Sequence, residues 1–309
     1  MQKEIITDLR LLDCYLQKVA AIFIAGDIIN KKIDQDSIVK YYRKSDAVYK
    51  YIHSYKGAVH LALNYDGTFH KDGYYAQANE ILGFIKESPV KDVLELGCGK
   101  GFNSIFLART LPEMKFYGID ITDRHLAVAK NKSRSMKNLK FQYGDFHQID
   151  FEDDSFDLIF ELEAICHAHD SRQVLSEIHR TLRKGGRFIL YDGFRQSGFE
   201  DLSDPLRHAA ILVEKSLAVD KFENIDAWLK MAAQAGFKIR ATKDLSRAVM
   251  PTLGKLQLLS RKYFEYPWVS KLFLKILPRD MMMNTIAVLL MPFTIQHKAH
   301  GYYKIILEK

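Results

Sequence analysis

The stretch Val93-Leu-Glu-Leu-Gly-Cys-Gly-Lys-Gly101 decides the fold of this 309-residue protein. A short apolar strand with one acidic residue is followed by three glycines at alternate positions and then by an apolar helix from about Phe102. Glycine is needed where the backbone approaches a ligand closely or takes a positive φ, and the start of a helix offers unpaired N–H groups. Such a strand–loop–helix unit binds a nucleotide-like ligand at the carboxyl edge of an α/β sheet.

The spacing of the acidic residue and the glycines limits the class of ligand that the loop can bind. E-x-G-x-G-x-G differs from the dinucleotide spacing G-x-G-x-x-G, and Glu95, two residues before Gly97, suits an ammonium group. The next two predicted strands also end in acids. Asp120 is placed to accept the hydroxyls of a ribose, and Asp145, with Phe146 beside it, is placed for an adenine. Acids at three successive strand ends, together with the glycine loop, predict S-adenosylmethionine as the cofactor.

The predicted cofactor site combines the glycine loop, the start of the following helix and the ends of the later strands. Its members are Glu95, Gly97, Cys98, Gly99, Gly101, Asn103, Asp120, Ile121, Asp145, Phe146 and Glu161. No metal is expected, because the pair His167 and His169 is too sparse for a metal site. Since Cys166 has no nucleophilic task in such a site, we interpret it as a packing residue.

The sequence after Val90 alternates between predicted strands and helices, which is typical of a parallel sheet. We predict an α/β fold with a Rossmann-like, doubly wound, seven-stranded and mostly parallel sheet. The predicted strands are 93–96, 116–120, 139–143, 156–162, 187–191, 237–242 and 302–308. Late helices at 252–277 and 281–297 interrupt this alternation. We therefore predict a core of residues 87–309, with a helical lid inserted at about 246–298.

Residues 1–86 are predicted to form a helical cap, with one helix in residues 1–30 and another over residues 35–55. Half of the 16 tyrosines of the protein lie in one stretch of 35 residues inside this segment. Aromatic side chains at this density indicate either a packed cap or the wall of a ligand cavity. On the second interpretation, the candidate substrate-binding residues are Tyr42, Tyr49 and Tyr65.

Composition limits the setting of the protein. Three scattered cysteines, and no visible signal peptide, favour a reducing cytoplasmic compartment. The uncharged run Met281–Gln296 is shorter than the roughly 20 residues that span a membrane.

Of the net charge of +7, residues 250–309 supply nine Lys or Arg against three Asp or Glu. Basic residues that alternate with apolar ones suit peripheral contact with a membrane surface better than a nucleic acid, although a solvated helix face gives the same pattern.

Two motifs add a family resemblance. Residues 93–308 resemble class I S-adenosylmethionine-dependent methyltransferases, and Asp157-Leu-Ile-Phe-Glu-Leu-Glu-Ala-Ile-Cys-His-Ala-His-Asp170 resembles the E-A-T-C-H-A-P segment of the C-methyltransferases that modify sterol side chains. The following Glu177-Ile-His-Arg-Thr-Leu-Arg-Lys-Gly-Gly186 is similar to the helix and turn after that segment. The aromatic Y-E-Y-G-W-G motif of that family is missing, and His53-Ser-Tyr-Lys-Gly57 stands at the comparable place. The resemblance implies an enzyme in which Glu163 and His167 take the positions of the family's glutamate and histidine.

The reaction that this resemblance implies needs a dry apolar cavity, aromatic faces and one base, because methylation of an alkene carbon leaves a carbocation. Glu163 and His167 are the catalytic candidates. A structural carboxylate and an ordinary loop histidine are the alternative interpretations. We expect C-methylation of a lipophilic, isoprenoid or sterol-like acceptor. The alternatives are O- or N-methylation of a polyketide, amine or other natural product, and a binding protein without turnover.

Overall fold

The computed structural model describes residues 5–48 and 56–309. Seven strands within these residues form one sheet in the order β3-β2-β1-β4-β5-β7-β6. The strands are β1 Asp92–Leu96, β2 Lys115–Asp120, β3 Leu139–Tyr143, β4 Phe156–Leu162, β5 Leu182–Arg195, β6 Lys238–Asp244 and β7 His300–Glu308. β7 runs antiparallel to both neighbours, and the other pairs are parallel. The predicted seven-stranded, mostly parallel α/β sheet is confirmed.

The same residues form twelve α-helices. They are α1 Leu12–Ala20, α2 Ala25–Ile29, α3 Gln35–Val48, α4 Ala76–Lys86, α5 Phe102–Thr110, α6 Asp123–Ser133, α7 Ser171–Thr181, α8 Asp204–Ser216, α9 Ile225–Gln234, α10 Ser246–Tyr263, α11 Pro267–Ile276 and α12 Arg279–Gln296. The strand order reverses between β1 and β4. Loops at the carboxyl ends of these two strands therefore diverge and leave a crevice for a ligand.

Two stretches predicted as single helices are interrupted. The predicted helix in residues 1–30 is α1 and α2, and the turn between them lets the consecutive side chains of Ile22 and Phe23 both be buried. The predicted helix 252–277 is α10 and α11. Proline at the first position of α11 forces Tyr266 out of the helical conformation, to φ −122° and ψ 89°.

The N-terminal helices share a hydrophobic core with α8 and α12. Leu12, Val19 and Ile28 pack there with Leu290 and Phe293. Helices α10, α11 and α12 lie between β6 and β7 in the sequence, so segments far apart in sequence form one helical layer. The division into a cap of residues 1–86 and a core of residues 87–309 remains a prediction.

The glycine loop after β1 needs glycine for two separate reasons. Gly97, Gly99 and Gly101 have φ values of +59°, +52° and +74°, which side chains disfavour. In addition, a Cβ atom at Gly97 would lie 2.4 Å from the Cβ of Ala164. The loop after β1 and the loop after β4 are therefore in direct contact, and this contact excludes any side chain larger than hydrogen.

Gly97→Ala is expected to destabilise the fold by about 1–3 kcal/mol, because it combines strained φ with overpacking. Gly83→Ala in the middle of α4 is the matched control, since an added Cβ there meets no atom within 4 Å. That change should stabilise the protein by about 0.5–1 kcal/mol. Urea unfolding of the two variants measures both effects, and equal stabilities would contradict the assignment of strain to the loop.

Candidate active site

A cavity of about 480 Å³ lies at the carboxyl ends of β1 to β5, beneath α3 and α12. Nine predicted site residues line it: Gly97, Gly99, Asp120, Ile121, Asp145, Phe146, Glu163, His167 and Tyr42. Six others lie outside its lining: Glu95, Cys98, Gly101, Asn103, Glu161 and Tyr65. Tyr49 lies outside the described residues. The sheet therefore brings acids from three consecutive strands to one hollow.

Glu95 does not line this hollow, in contrast to its predicted contact with an ammonium group. Its buried carboxylate accepts hydrogen bonds from Asn103 Nδ2 at 3.0 Å and from the Ser104 backbone N–H at 3.1 Å, and also from the Ser104 hydroxyl. Burial raises the pKa of Glu95 to about 7. Glu95 thus holds the first turn of α5 against β1, and Asn103 serves the same purpose as its partner.

Asp120 fixes the glycine loop and still has acceptor capacity for a ligand. Its Oδ2 accepts the Gly99 N–H at 2.8 Å, and its Oδ1 accepts the Thr122 N–H at 2.7 Å. A carboxylate has about four lone-pair sites, so two remain for the hydroxyls of a ribose. This geometry fits the predicted role of Asp120.

Asp145 is held by a histidine that the sequence analysis missed. Its Oδ1 accepts hydrogen bonds from His147 N at 2.9 Å and from His147 Nδ1 at 2.7 Å, and its Oδ2 accepts Gln35 Nε2 at 2.9 Å. Hydrogen bonding from His147 lowers the pKa of Asp145 below its usual value. His147 Nε2 accepts the His169 backbone N–H at 3.2 Å, so the ring carries its proton on Nδ1. The position of His147, two residues after Asp145, was the available sequence signal.

Glu163, directly after β4, is a third acid that lines the cavity. Its backbone has a φ of +55°, a conformation that costs a non-glycine residue about 1–3 kcal/mol. Oε1 accepts the Leu61 N–H at 2.7 Å and the Tyr302 hydroxyl at 2.8 Å. Burial raises the pKa of Glu163 to about 8. Within residues 5–48 and 56–309, no hydrogen bond reaches Oε2, and the half-buried side chain lines the cavity.

Two further buried carboxyls lie behind Glu163. Glu161 accepts the N–H groups of Ala164 at 2.7 Å and Ile165 at 3.3 Å, and so holds the loop after β4 instead of lining the cofactor pocket as predicted. Asp192 in β5 lines the cavity and accepts the Cys166 N–H at 2.8 Å. Burial raises the pKa of Glu161 and of Asp192. Asp192 is thus a lining acid that no local sequence signal marked.

Tyr42 and His167, predicted separately, form a hydrogen-bonded pair. His167 Nδ1 lies 3.1 Å from the carbonyl oxygen of Ala218, which only accepts, so Nδ1 carries the proton. Nε2 then accepts the Tyr42 hydroxyl at 2.9 Å. Burial lowers the pKa of His167 to about 4, which keeps the imidazole neutral. Tyr65, in contrast, is exposed and donates its hydroxyl to Glu80, so its predicted role in substrate binding receives no support.

Apolar residues from distant segments complete the wall of the cavity, and the sequence analysis did not identify them. They include Leu61, Leu162, Leu217, Met291 and Ile295. In the described part of the protein, no cluster of three or more His, Cys, Asp or Glu could hold a metal ion. The helices of that part are also too short or too polar to cross a membrane.

Comparison with known proteins agrees with this geometry. Residues 87–236 match a family model described as a methyltransferase domain. Residues 87–236 are therefore a methyltransferase domain, and the protein resembles the class I S-adenosylmethionine-dependent methyltransferases. It is 30% identical over 157 residues to the sterol 24-C-methyltransferase of Saccharomyces cerevisiae, an alignment covering 50% of this chain and 41% of that protein. An O-methyltransferase of Pyrenophora dematioidea is 28% identical over 180 residues, or 57% of this chain and 64% of that one.

A solved structure shows the same fold. The cyclopropane synthase MmaA2 from Mycobacterium tuberculosis aligns with a TM-score of 0.71 at 16% identity, over 91% of this chain and 100% of that one. The sequence alignment with the yeast sterol enzyme spans less than half of that enzyme's length. The match to the fold of the cyclopropane synthase, in contrast, spans nearly the whole of this chain. The predicted resemblance to class I methyltransferases, and to the sterol C-methyltransferases among them, is confirmed. S-adenosylmethionine is the cofactor of this domain type. It fits the uncrowded backbone at Gly99, where the nearest atom to an added Cβ is 4.0 Å away, and the unused acceptor sites of Asp120.

Asp120→Ala is expected to weaken the binding of S-adenosylhomocysteine by about 10- to 100-fold, because hydrogen bonds to a charged group contribute about 1.5–3 kcal/mol. Isothermal titration calorimetry measures this change. The control is Asp123→Ala, which removes an exposed acid three residues later at the start of α6. Unchanged affinity in the Asp120 variant would contradict its assignment to the ribose.

Proposed function

We propose that the protein transfers a methyl group from S-adenosylmethionine to a carbon atom of a lipophilic acceptor, an isoprenoid or sterol-like alkene. The observation that supports this proposal is the placement of Glu163. It lines a cavity whose wall includes Leu61, Leu162 and Met291, and it keeps one carboxyl oxygen without a protein partner among the described residues. A reaction that ends in the loss of a proton from carbon needs one such base in water-poor surroundings.

The charges around the cavity favour an uncharged acceptor. Lys221 is the one Lys or Arg among the described lining residues. A diphosphate group, carrying several negative charges, would find little compensation there and would face the carboxylates of Asp34 and Asp220. We therefore propose a neutral acceptor without a diphosphate, bound against Leu61, Leu162 and Met291.

Individual residues have distinct tasks in this proposal. Bound S-adenosylmethionine supplies an electrophilic methyl group and a positive charge. Asp120 and Asp145 hold its ribose and adenine, while Gly97 and Gly99 let the backbone approach it. The acceptor is positioned by the apolar wall opposite, which also excludes water. Positioning of the two reactants in this way contributes much of the rate in a displacement reaction.

Glu163 accepts the proton that the methylated acceptor loses. Its pKa of about 8 reflects burial. Because an opposite charge nearby favours the ionised form, a cation in the cavity lowers this pKa and leaves a carboxylate ready to act as the base. The Leu61 N–H and the Tyr302 hydroxyl keep Oε1 occupied, so Oε2 takes the proton and the acceptor regains a double bond.

Tyr42 and His167 provide a second polar group that lines the cavity. Neutral His167 accepts the Tyr42 hydroxyl proton in a hydrogen bond, which enriches the phenol oxygen in electron density. The ring of Tyr42 also offers an aromatic face toward a carbocation. We assign this pair to stabilisation of positive charge on the acceptor.

O-methylation is the second candidate function, and the relative from Pyrenophora dematioidea, named an O-methyltransferase, favours it. In that reaction Glu163 removes the proton of an acceptor hydroxyl. Mass fragmentation of the labelled product separates the two reactions, because O-methylation leaves the carbon skeleton unchanged.

Glu163→Gln is expected to lower methyl transfer to extracted neutral lipids by about 10²–10⁴-fold, the usual contribution of a positioned base. Affinity for S-adenosylhomocysteine should stay unchanged, since the residue faces the acceptor. Transfer from radiolabelled S-adenosylmethionine measures the rate. Tyr302→Phe is the companion variant and should cost less, because it removes a hydrogen bond to Glu163 and leaves the carboxyl in place. A fully active Glu163→Gln enzyme would contradict the assignment.

The raised pKa of Glu163 also predicts a dependence of stability on pH. Its carboxyl is neutral in the folded protein up to about pH 8 but ionises near 4.5 when unfolded. The folded state therefore loses stability as the pH rises from about 4.5 to 8. Glu163→Gln lacks this ionisation, so its Tm relative to the wild type should increase over that range and level off above it. Thermal unfolding at several pH values tests this, and a constant difference would contradict the burial of this carboxyl.

A further inference from the structure

Helix α11 presents an apolar stripe to solvent. Trp268, Leu272 and Ile276 follow one another at intervals of four residues and therefore share one face of the helix. They are 72%, 52% and 69% exposed. Ser270 and Leu274, on the opposite face, pack against the rest of the protein. A run of large apolar side chains at this exposure marks an interaction surface.

The stripe has positive charge along one side. Lys271 and Lys275 are exposed on the same helix, which contains no acidic residue. Within the described ranges, neither lysine takes part in an ion pair. Asp280, the acid that follows α11, is already paired with Lys31 at 2.8 Å and Lys44 at 2.9 Å. The positive charge of the helix is thus left uncompensated by its neighbours.

A further exposed apolar residue lies in the N-terminal helices. Ile24, in the turn between α1 and α2, is 68% exposed. Two contacts hold that turn near the ends of α11: the rings of Phe23 and Phe264 lie 6.2 Å apart, and Arg279 pairs with Asp27 at 3.0 Å. These contacts tie the turn that carries Ile24 to the segments before and after α11.

We propose that this surface, the α11 patch (Trp268, Lys271, Leu272, Lys275 and Ile276), binds an anionic lipid bilayer. An amphipathic helix with lysines beside a Trp-containing apolar stripe lies in the plane of a membrane, with the lysines at the negative headgroups and the apolar side chains at the acyl boundary. Its length of about 15 Å suits that orientation. The purpose of docking, delivery of a lipophilic acceptor, rests on the proposed function, whereas the docking itself does not.

The intact protein has its own reporter for this test. Trp268 is exposed and Trp228, the other tryptophan, is buried, so a change in emission on titration with vesicles reports Trp268. We expect a blue shift with vesicles of phosphatidylcholine and phosphatidylserine. The shift should be much weaker with phosphatidylcholine alone, and salt should reduce it because headgroup attraction is screened.

Two variants and a control separate the contributions. Leu272→Glu combined with Ile276→Glu should abolish the shift and the co-sedimentation with anionic vesicles. Lys271→Gln and Lys275→Gln should each lower the apparent affinity about fivefold, the effect of one lysine near an anionic surface. Ile239→Glu, an exposed apolar position on the edge strand β6, should bind vesicles as the wild type does.

Two results would overturn the proposal. One is a wild-type protein that neither shifts its emission nor co-sediments with anionic vesicles. The other is concentration-dependent self-association in analytical ultracentrifugation that the Leu272→Glu, Ile276→Glu variant lacks, because the patch would then bind a second copy of the protein. Calorimetry with S-adenosylhomocysteine is measured in parallel. Absence of its binding, with vesicle binding retained, would refute the proposed function and leave the membrane surface standing.

Discussion

The hydrogen-bonded carboxyl of Glu163 joins three parts of the protein that lie far apart in the sequence. It follows β4, accepts the Leu61 N–H from the N-terminal segment and accepts the Tyr302 hydroxyl from β7. Burial of a carboxyl is tolerated only where hydrogen bonds compensate for lost water, so both donors must stay in place. Gln77 supports them, since its amide donates to the Leu61 carbonyl at 2.8 Å. The position of this part of the cavity wall therefore depends on these few hydrogen bonds.

The acids at the strand ends divide into two groups according to whether they line the cavity. Glu95 and Glu161 accept backbone N–H groups from the segments that follow their own strands, so they shape the site without touching its contents. Asp120 and Glu163 also accept protein donors but line the cavity. Loops held from behind by carboxyls need less ordering when a ligand binds, which reduces the entropic cost of binding.

The residues proposed to bind the donor could be predicted to share one site because their signals are local. Parallel strands place their carboxyl ends at one edge, so Asp120 and Asp145 could be assigned to one site from spacing alone. His147 and Asp192 escaped prediction, because a histidine or an acid near a strand end has many structural uses and only the packed fold shows its partner. Glu95 lies in β1, as predicted, but its carboxyl contacts the first turn of α5 and not the cavity. The direction of this side chain depends on how α5 packs against β1, which the local sequence does not show.

The acceptor side could not be predicted from the sequence for a physical reason that also limits the comparisons. Its walls come from α3, from the segment after α8 and from α12, and only the second of these lies within the 87–236 family match. Relatives thus share the sheet edge that holds the donor, whereas Tyr42, Met291 and Ile295 come from helices outside that match. Similarity to sterol or O-methylating enzymes constrains the donor chemistry much more than the acceptor. Choice among acceptors therefore depends on the properties of this cavity itself, above all the carboxyl of Glu163 and the apolar wall.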